Sequence, residues 1–381
     1  MLARSKMKNP IITTLKFPSI DTLRALAVTM VIVLHVIEIG GWKQFPISWP
    51  LFYFRIGWLG VDLFFVISGF VITWSAISLI SSTSAYYKNF FINRLARIVP
   101  LYVLTCLIFL VIFRSEFFKK TQYEWITDIL LHATFLHNLS QRTAGSLNGV
   151  TWSLGLEVQF YLFSILLTPL FVRIGAIKTL ISLLSFAWIY KFLITLLLIP
   201  GTADAQLQVF FTSFQLPGTI DEFSFGIAAA ILLNEKEDLL KKIRSINFYA
   251  TSFIILGVFT FMVSVKILQL SGPYWSTTSI IVFWRTLTAA SFGLLLLWAI
   301  SYDHHPLLRP ISFIGMISYG MYLWHLIILK VLITESDRRG FDLMLATFSA
   351  TLFVSYLSWR YFEIPAMNFI KNKYGTLSKA R

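Results

Sequence analysis

Apolar residues gather along this chain in long blocks separated by short polar breaks. Ten blocks, near 20–39, 57–80, 95–113, 152–172, 179–199, 218–233, 247–268, 279–300, 311–333 and 343–362, approach the ~20 residues that a helix needs to cross a bilayer. The pattern predicts an all-α, polytopic membrane protein of about ten transmembrane helices. Residues 1–19 read as a cytoplasmic N-terminal segment, 20–362 as the transmembrane domain and 363–381 as a basic cytoplasmic tail. The longest break, 114–150, is expected on the outer side. Its middle, Trp125–His137, is amphipathic at helical period and is expected to lie in the membrane interface. No low-complexity tract or obvious internal repeat interrupts the series.

Cations set the orientation. With the N-terminus inside, roughly 20 Lys and Arg collect on the inner side and roughly 10 on the outer. Lys88–Arg97, Lys236–Arg244 and Lys371–Arg381 are then inner, and 200–217, which has no cation, is outer. Both termini are expected in the cytoplasm, and Lys191 and Arg285 are left stranded inside spans. Arg4, Lys6, Lys8 and Lys16 look like a signal n-region, but no small-residue cleavage site follows, so the first block reads as a retained span.

Composition agrees with this picture. The chain is 57% hydrophobic and 13% charged, and a soluble domain carries about twice that charged share. A net charge of +14 would point to nucleic acid in a soluble protein; here the cations serve topology, and no nucleic-acid partner is expected. Cys106, the single cysteine, lies in an apolar run and is expected to pack there.

This topology sorts the ionisable residues into two layers. Arg24, Arg94, Arg97, Arg360 and Glu363 fall on the cytoplasmic side, whereas His35, Asp62, Glu157 and His325 fall in the outer half. Arg24 and His35 share the stretch Ile20–His35, eleven residues apart. That spacing is about three whole turns, so both side chains occupy one helix face, about 16 Å apart along the axis. A cation at the membrane edge and an imidazole well inside need a polar lumen, and intramembrane ionisable groups are functional candidates.

Three further segments carry candidate chemistry. Arg94 and Arg97, at i and i+3 at the head of the third span, present two guanidinium forks suited to phosphate; the plainer reading is topogenic arginine at lipid headgroups. Glu157 lies in an apolar helix with Ser153 one turn before and Tyr161 one turn after. It either pairs with a histidine and raises its basicity, or locks helices together as a structural ion pair. In Gly315–His325, Gly315, Ser318 and Gly320 permit close helix approach, and His325 is either a satisfied interhelical hydrogen-bonder or a site residue. Asp62, upstream of the run Phe64–Phe70, is a weaker candidate. His132, His137, His304 and His305 lack metal-ligand spacing and are expected to be solvated, and no metal is expected.

The order of these segments carries a resemblance. Arg24 to His35, the Phe-Phe-Val-Ile-Ser-Gly-Phe run, Arg94/Arg97/Pro100/Tyr102, Trp152-Ser-Leu with Glu157, Ser318–His325 and the closing Trp359–Pro365 with Glu363 together resemble the acyltransferase-3 family of integral-membrane acyltransferases, over nearly the whole chain. The family decorates bacterial surface polysaccharides. The resemblance implies acetyl-CoA or another acyl-CoA as donor, and a polysaccharide or lipid-linked sugar hydroxyl as acceptor. It also implies a multi-pass place in the bacterial inner membrane, among membrane lipids.

By that resemblance Arg94 and Arg97, with Arg24, would hold the donor's phosphates. The pantetheine arm would reach up the lumen to His35, acting as general base or acyl acceptor. Glu157 would orient or charge-stabilise His35, and Asp62, Tyr161 and His325 would be polar supports. Two departures stand out: Asn93, where the family often has arginine, and the lack of the C-terminal extracytoplasmic esterase-like domain of some members, which is expected to leave acceptor choice to the membrane part. The residues alone also fit a proton-coupled transporter or flippase using His and Glu as a relay, or a non-catalytic sensor or scaffold.

Overall fold

Every regular element among the described residues is a helix, as long apolar blocks require: in hydrocarbon a backbone must satisfy its own hydrogen bonds. The computed structural model describes residues 17–46, 51–82, 86–113, 119, 121–198, 203–271, 277–301 and 308–375. The long helices are α1 (Ile20–Glu38), α2 (Leu59–Ser82), α3 (Tyr86–Phe113), α5 (Trp152–Ile174), α6 (Ala176–Leu197), α7 (Leu216–Glu235), α8 (Asn247–Leu270), α9 (Arg285–Ser301), α11 (Ser318–Glu335) and α12 (Gly340–Ser358). Shorter helices include α4 (Gln122–Ala133), α10 (Arg309–Met316) and, after α12, α13 (Ile364–Tyr374). Among the described residues nine helices are long and apolar enough to span, or ten if the bent pair α10–α11 counts as one. This is a multi-pass membrane protein with the expected number of spans.

Three boundaries depart from the expected pattern. Helix α3 starts at Tyr86, so Arg94 and Arg97 lie two and three turns inside it rather than at its head. The ninth block is not one helix: α10 and α11 meet at Ile317 with a 69° bend. The tenth does not stop at residue 362. It continues through a π-turn at Trp359–Glu363 into α13, with Ile364 N–H donating five residues back to Trp359 O. Pro365, which has no N–H to offer, is thereby taken at the first turn of α13 without breaking the rod. The cations Arg4, Lys6, Lys8 and Lys16, and His304 and His305, lie outside the described residues.

The chain packs as two compact units. One comprises Met1–Leu23, Asp62–Ser84 and Gln159–Arg309. Its centre is an aromatic stack, with Phe223 of α7 4.1 Å from Phe160 and 4.7 Å from Phe65. Around that stack α2 and α7 touch backbone to backbone. A Cβ on Gly226 would stand 2.1 Å from Val66 O, and one on Gly69 would stand 2.2 Å from Phe223 O. Lipid gives helices no hydrophobic reason to associate, so such close approach supplies the dispersion contact that does.

The other unit comprises Arg24–Val61, Ala85–Val158 and Pro310–Arg381. Gly57 and Gly60 bring the start of α2 against Met30 O and Ala27 O of α1. Tyr319, on the first turn of α11, donates from its hydroxyl to Ile98 O of α3 at 2.6 Å. Ser358 donates to Glu363 Oε1 at 3.3 Å, and the same oxygen would be 3.1 Å from a Cβ on Gly320. A carboxylate therefore sits against the N-terminal turn of α11, where the helix dipole favours it. The closing motif at Trp359–Pro365 works as a clasp on the broken helix.

Candidate active site

Arg24, His35, Arg94, Arg97, Glu157 and His325 all belong to the second of these units. Its centre is a histidine pair: His325 Nε2 lies 3.1 Å from His35 Nδ1, with ring centroids 5.0 Å apart. His325 is fully buried and His35 is partly open.

The partners fix the tautomers. His35 Nδ1 lies 3.0 Å from Val31 O and His325 Nδ1 lies 3.2 Å from Met321 O, each four residues back on its own helix. Carbonyl oxygens only accept, so both Nδ1 atoms carry hydrogen. His325 Nε2 therefore offers a lone pair, which the His35 Nδ1–H shares with Val31 O. The remaining nitrogen of His35, Nε2, is left unprotonated and able to take a proton. If it does, the charge on the imidazolium is met through Nδ1–H by a neutral imidazole acceptor. Such an arrangement can serve as a base with an orienting partner.

That partner is His325, not the Glu157 expected from sequence. Among the described residues the polar partners of His35 are Val31 O and His325. Glu157 is half-buried and exerts its charge on Tyr322 instead. The Tyr322 ring is 5.8 Å from His325, and its hydroxyl donates to Val150 O at 2.9 Å and bonds Ser153 Oγ at 2.8 Å. Asn148 Nδ2 donates to Leu323 O at 3.4 Å. The loop leading into α5 is thus stapled to α11 one turn from His325, with Glu157 one turn beyond Ser153.

His132 and His137 are not solvated, contrary to expectation. Both are buried and stack at 4.2 Å with 12° between their planes. His132 Nδ1 donates to Asp128 O at 2.8 Å, and His137 Nε2 to Thr151 O at 2.9 Å. Thr143 Oγ1 donates to His137 O at 2.7 Å, and Tyr102 Oη to His132 O at 3.3 Å. Helix α4, opened by a capping box between Thr121 and Glu124, turns Asp128 and His132 inward together. Burial holds the His137 imidazole below its usual 6.5, so it is neutral in the folded protein at neutral pH.

The arginine layer stands apart along the helices. Arg94 lies over the Phe90 ring at 5.7 Å, and Arg97 is exposed. Lys371 on α13, which sequence reasoning counted only as a tail cation, lies within electrostatic reach of both arginines, and Glu363 within reach of Arg97. Helix α13 packs against α3, which carries this cluster together. Arg24, half-buried on α1, is about 16 Å along the helix from His35.

Asp62 and Tyr161 belong to the first unit. Both are buried, and Asp62 accepts hydrogen bonds from Arg285. No group of three His, Cys, Asp or Glu placed to hold a metal occurs among the described residues.

The profile of the Acyltransferase domain family, Acyl_transf_3, matches residues 17–360. The chain is 27% identical to the peptidoglycan O-acetyltransferase OatA of Listeria monocytogenes over 384 residues, covering 91% of this chain and 55% of that protein. It is 25% identical to the putative peptidoglycan O-acetyltransferase YrhL of Bacillus subtilis, covering 91% and 54%. With the putative acetyltransferase ORF330 of Acidianus two-tailed virus it shares 29% identity over 74% of this chain and 76% of that one. The chain thus spans about half the length of the two bacterial relatives. No solved structure matches.

Proposed function

We propose, from the premise that the chain belongs to the Acyl_transf_3 family of acyltransferases, that it moves an acetyl or other acyl group from acyl-CoA to a hydroxyl of a cell-envelope glycan. Relatives named for peptidoglycan O-acetylation support a glycan acceptor of that kind. His35 Nε2 takes the proton of the acceptor hydroxyl as its oxygen attacks the thioester carbonyl. The carbon–sulfur bond then breaks, and the same nitrogen returns the proton to the departing thiolate, so that ester and free thiol are the only products. His325 holds His35 in the required tautomer and carries part of the transient charge.

Arg94, Arg97 and Lys371 suit the phosphates of the donor, since guanidinium forks take phosphate oxygens in pairs. Arg24, about 16 Å along α1 from His35, is a third candidate for those phosphates. Glu157, half-buried one turn beyond Ser153, is the candidate for holding the acceptor sugar. Asp62 and Tyr161 act on the fold rather than on substrate. The membrane concerned is the bacterial inner membrane, where acyl-CoA is available from the cytoplasm.

The observation that carries the reading is the His35–His325 pair, which leaves one nitrogen of His35 free to act as a base. Membranes containing the protein, supplied with radiolabelled acetyl-CoA and isolated envelope glycan, are expected to yield label in alkali-labile ester on the glycan. Glycan that stays unlabelled under conditions where the protein is folded would refute it. The transporter reading has one observation in its favour, the 69° break at Ile317, since broken helices often mark transport sites. Uptake or export of a solute with no covalent product would decide for that reading.

A further inference from the structure

The first unit holds a second concentration of charge, which the proposed transfer does not use. Asp62 on α2, Lys191 on α6, Asp221 and Glu222 on α7, and Arg285 on α9 are each at most 3% exposed. Lys191 Nζ donates to Asp221 Oδ2 at 2.8 Å. Thr286 Oγ1 also donates to that oxygen, and Trp188 Nε1 donates to Thr286 at 2.9 Å. Arg285 donates to Asp62 Oδ1 from both Nε and Nη2, and the Phe214 ring covers its guanidinium at 3.9 Å. Lys191, Arg285, Asp62 and Asp221 all act electrostatically on Glu222.

Charge and hydrogen bonding both fail to close around Glu222. Three acids face two bases, leaving one negative charge uncompensated in a dry interior. Arg285 Nε is 2.8 Å from Glu222 Oε1, but its single hydrogen is already directed to Asp62 Oδ1 at 2.9 Å. Both oxygens of Glu222 and Oδ2 of Asp62 consequently have no hydrogen-bond donor. The Arg285 guanidinium contacts both carboxyl groups, which places them side by side.

We infer that Glu222 and Asp62 form a proton-binding site, in which a hydrogen on Glu222 is donated to Asp62 Oδ2 and the five-residue cluster is thereby neutral. One proton supplies the missing charge, the donor that Asp62 Oδ2 lacks and the hydrogen missing from Glu222. A monovalent metal cation would supply the charge but no donor. The protein thus carries an acid–base group inside the membrane that is independent of His35.

Infrared difference spectroscopy of the full-length protein in lipid tests this. At neutral pH the spectrum is expected to show a protonated-carboxyl C=O band that shifts in deuterium oxide. The band should vanish in Glu222→Gln, and also in Asp62→Asn, because either change leaves two acids against two bases. Glu222→Gln should melt near the temperature of the parent protein, since the amide donates where the acid did. If one variant fails to fold, the other gives the same readout. A band that persists in the variants, its absence from the parent protein, or a melting temperature that rises with sodium but not with choline would overturn the inference.

Discussion

Removing the His325 ring while keeping His35 isolates the step in which the account is most specific. In His325→Ala the His35 Nδ1–H keeps Val31 O but loses the acceptor 3.1 Å away. That bond gains strength as His35 Nε2 takes the substrate proton, because a neutral donor becomes a cationic one. A hydrogen bond of a neutral pair is worth about 0.5–1.5 kcal/mol and one to a charged group about 1.5–3. The difference, about 1–2 kcal/mol, is felt only as charge develops, so kcat should fall ~5–30-fold with little change in KM for the donor. The assay is steady-state release of free thiol from acetyl-CoA by purified protein in liposomes. Because His325 acts through His35, the double variant His35→Ala/His325→Ala should be no slower than His35→Ala alone. Activity of His325→Ala within twofold of the parent, or losses that multiply in the double variant, would refute the reasoning. His325→Gln, whose amide oxygen can accept, controls for the cavity and should retain more activity than the alanine variant.

Arg97→Ala and Lys371→Ala should each raise KM for acetyl-CoA tenfold or so while leaving kcat nearly intact, because a lost charge-assisted contact is worth about 1.5 kcal/mol in the bound and the transition state alike; a loss confined to kcat would contradict phosphate binding. Gly226→Ala places a Cβ 2.1 Å from Val66 O and should cost at least 1–3 kcal/mol, seen as loss of monodisperse protein in detergent, whereas Gly145→Ala, whose nearest neighbour is 3.6 Å away, should be silent. His137 is held neutral by burial, so its contribution to stability is complete above 6.5 and is lost as pH falls below it. Thermal stability should therefore drop on acidification from 6.5, less so in His137→Gln, and equal slopes in the two proteins would exclude His137 as the cause.

Much of this arrangement was legible in the sequence, and the failures have physical reasons. The Arg24–His35 stripe followed from helical geometry alone. The meeting of His35 with His325 did not, because the two are 290 residues apart and the register of one helix against another is not written in either helix's own pattern. That His35 contacts His325 rather than Glu157 was hidden for the same reason. Lys191 and Arg285 were rightly singled out as stranded. Their counter-charges, the adjacent Asp221 and Glu222, are two acids within one short apolar block, a signal as plain as the stranded cations.

His132 and His137, expected to be solvated for want of metal-ligand spacing, are buried because α4 does not turn its polar face to water. Here that face is turned onto a stapled loop. The break at Ile317 has no proline at the bend to announce it, and Pro365, which usually ends a helix, was absorbed by a π-turn.

The central claim is that His35 Nε2 shuttles the proton between the acceptor hydroxyl and the leaving thiol. It is tested most directly by following thiol release and ester formation together in liposomes containing parent protein or His35→Ala. Both signals are expected to fall in step by ~10²–10⁴-fold, the usual contribution of a general base, and to recover in part on adding imidazole. Ester formation by folded His35→Ala at the parental rate would contradict the account.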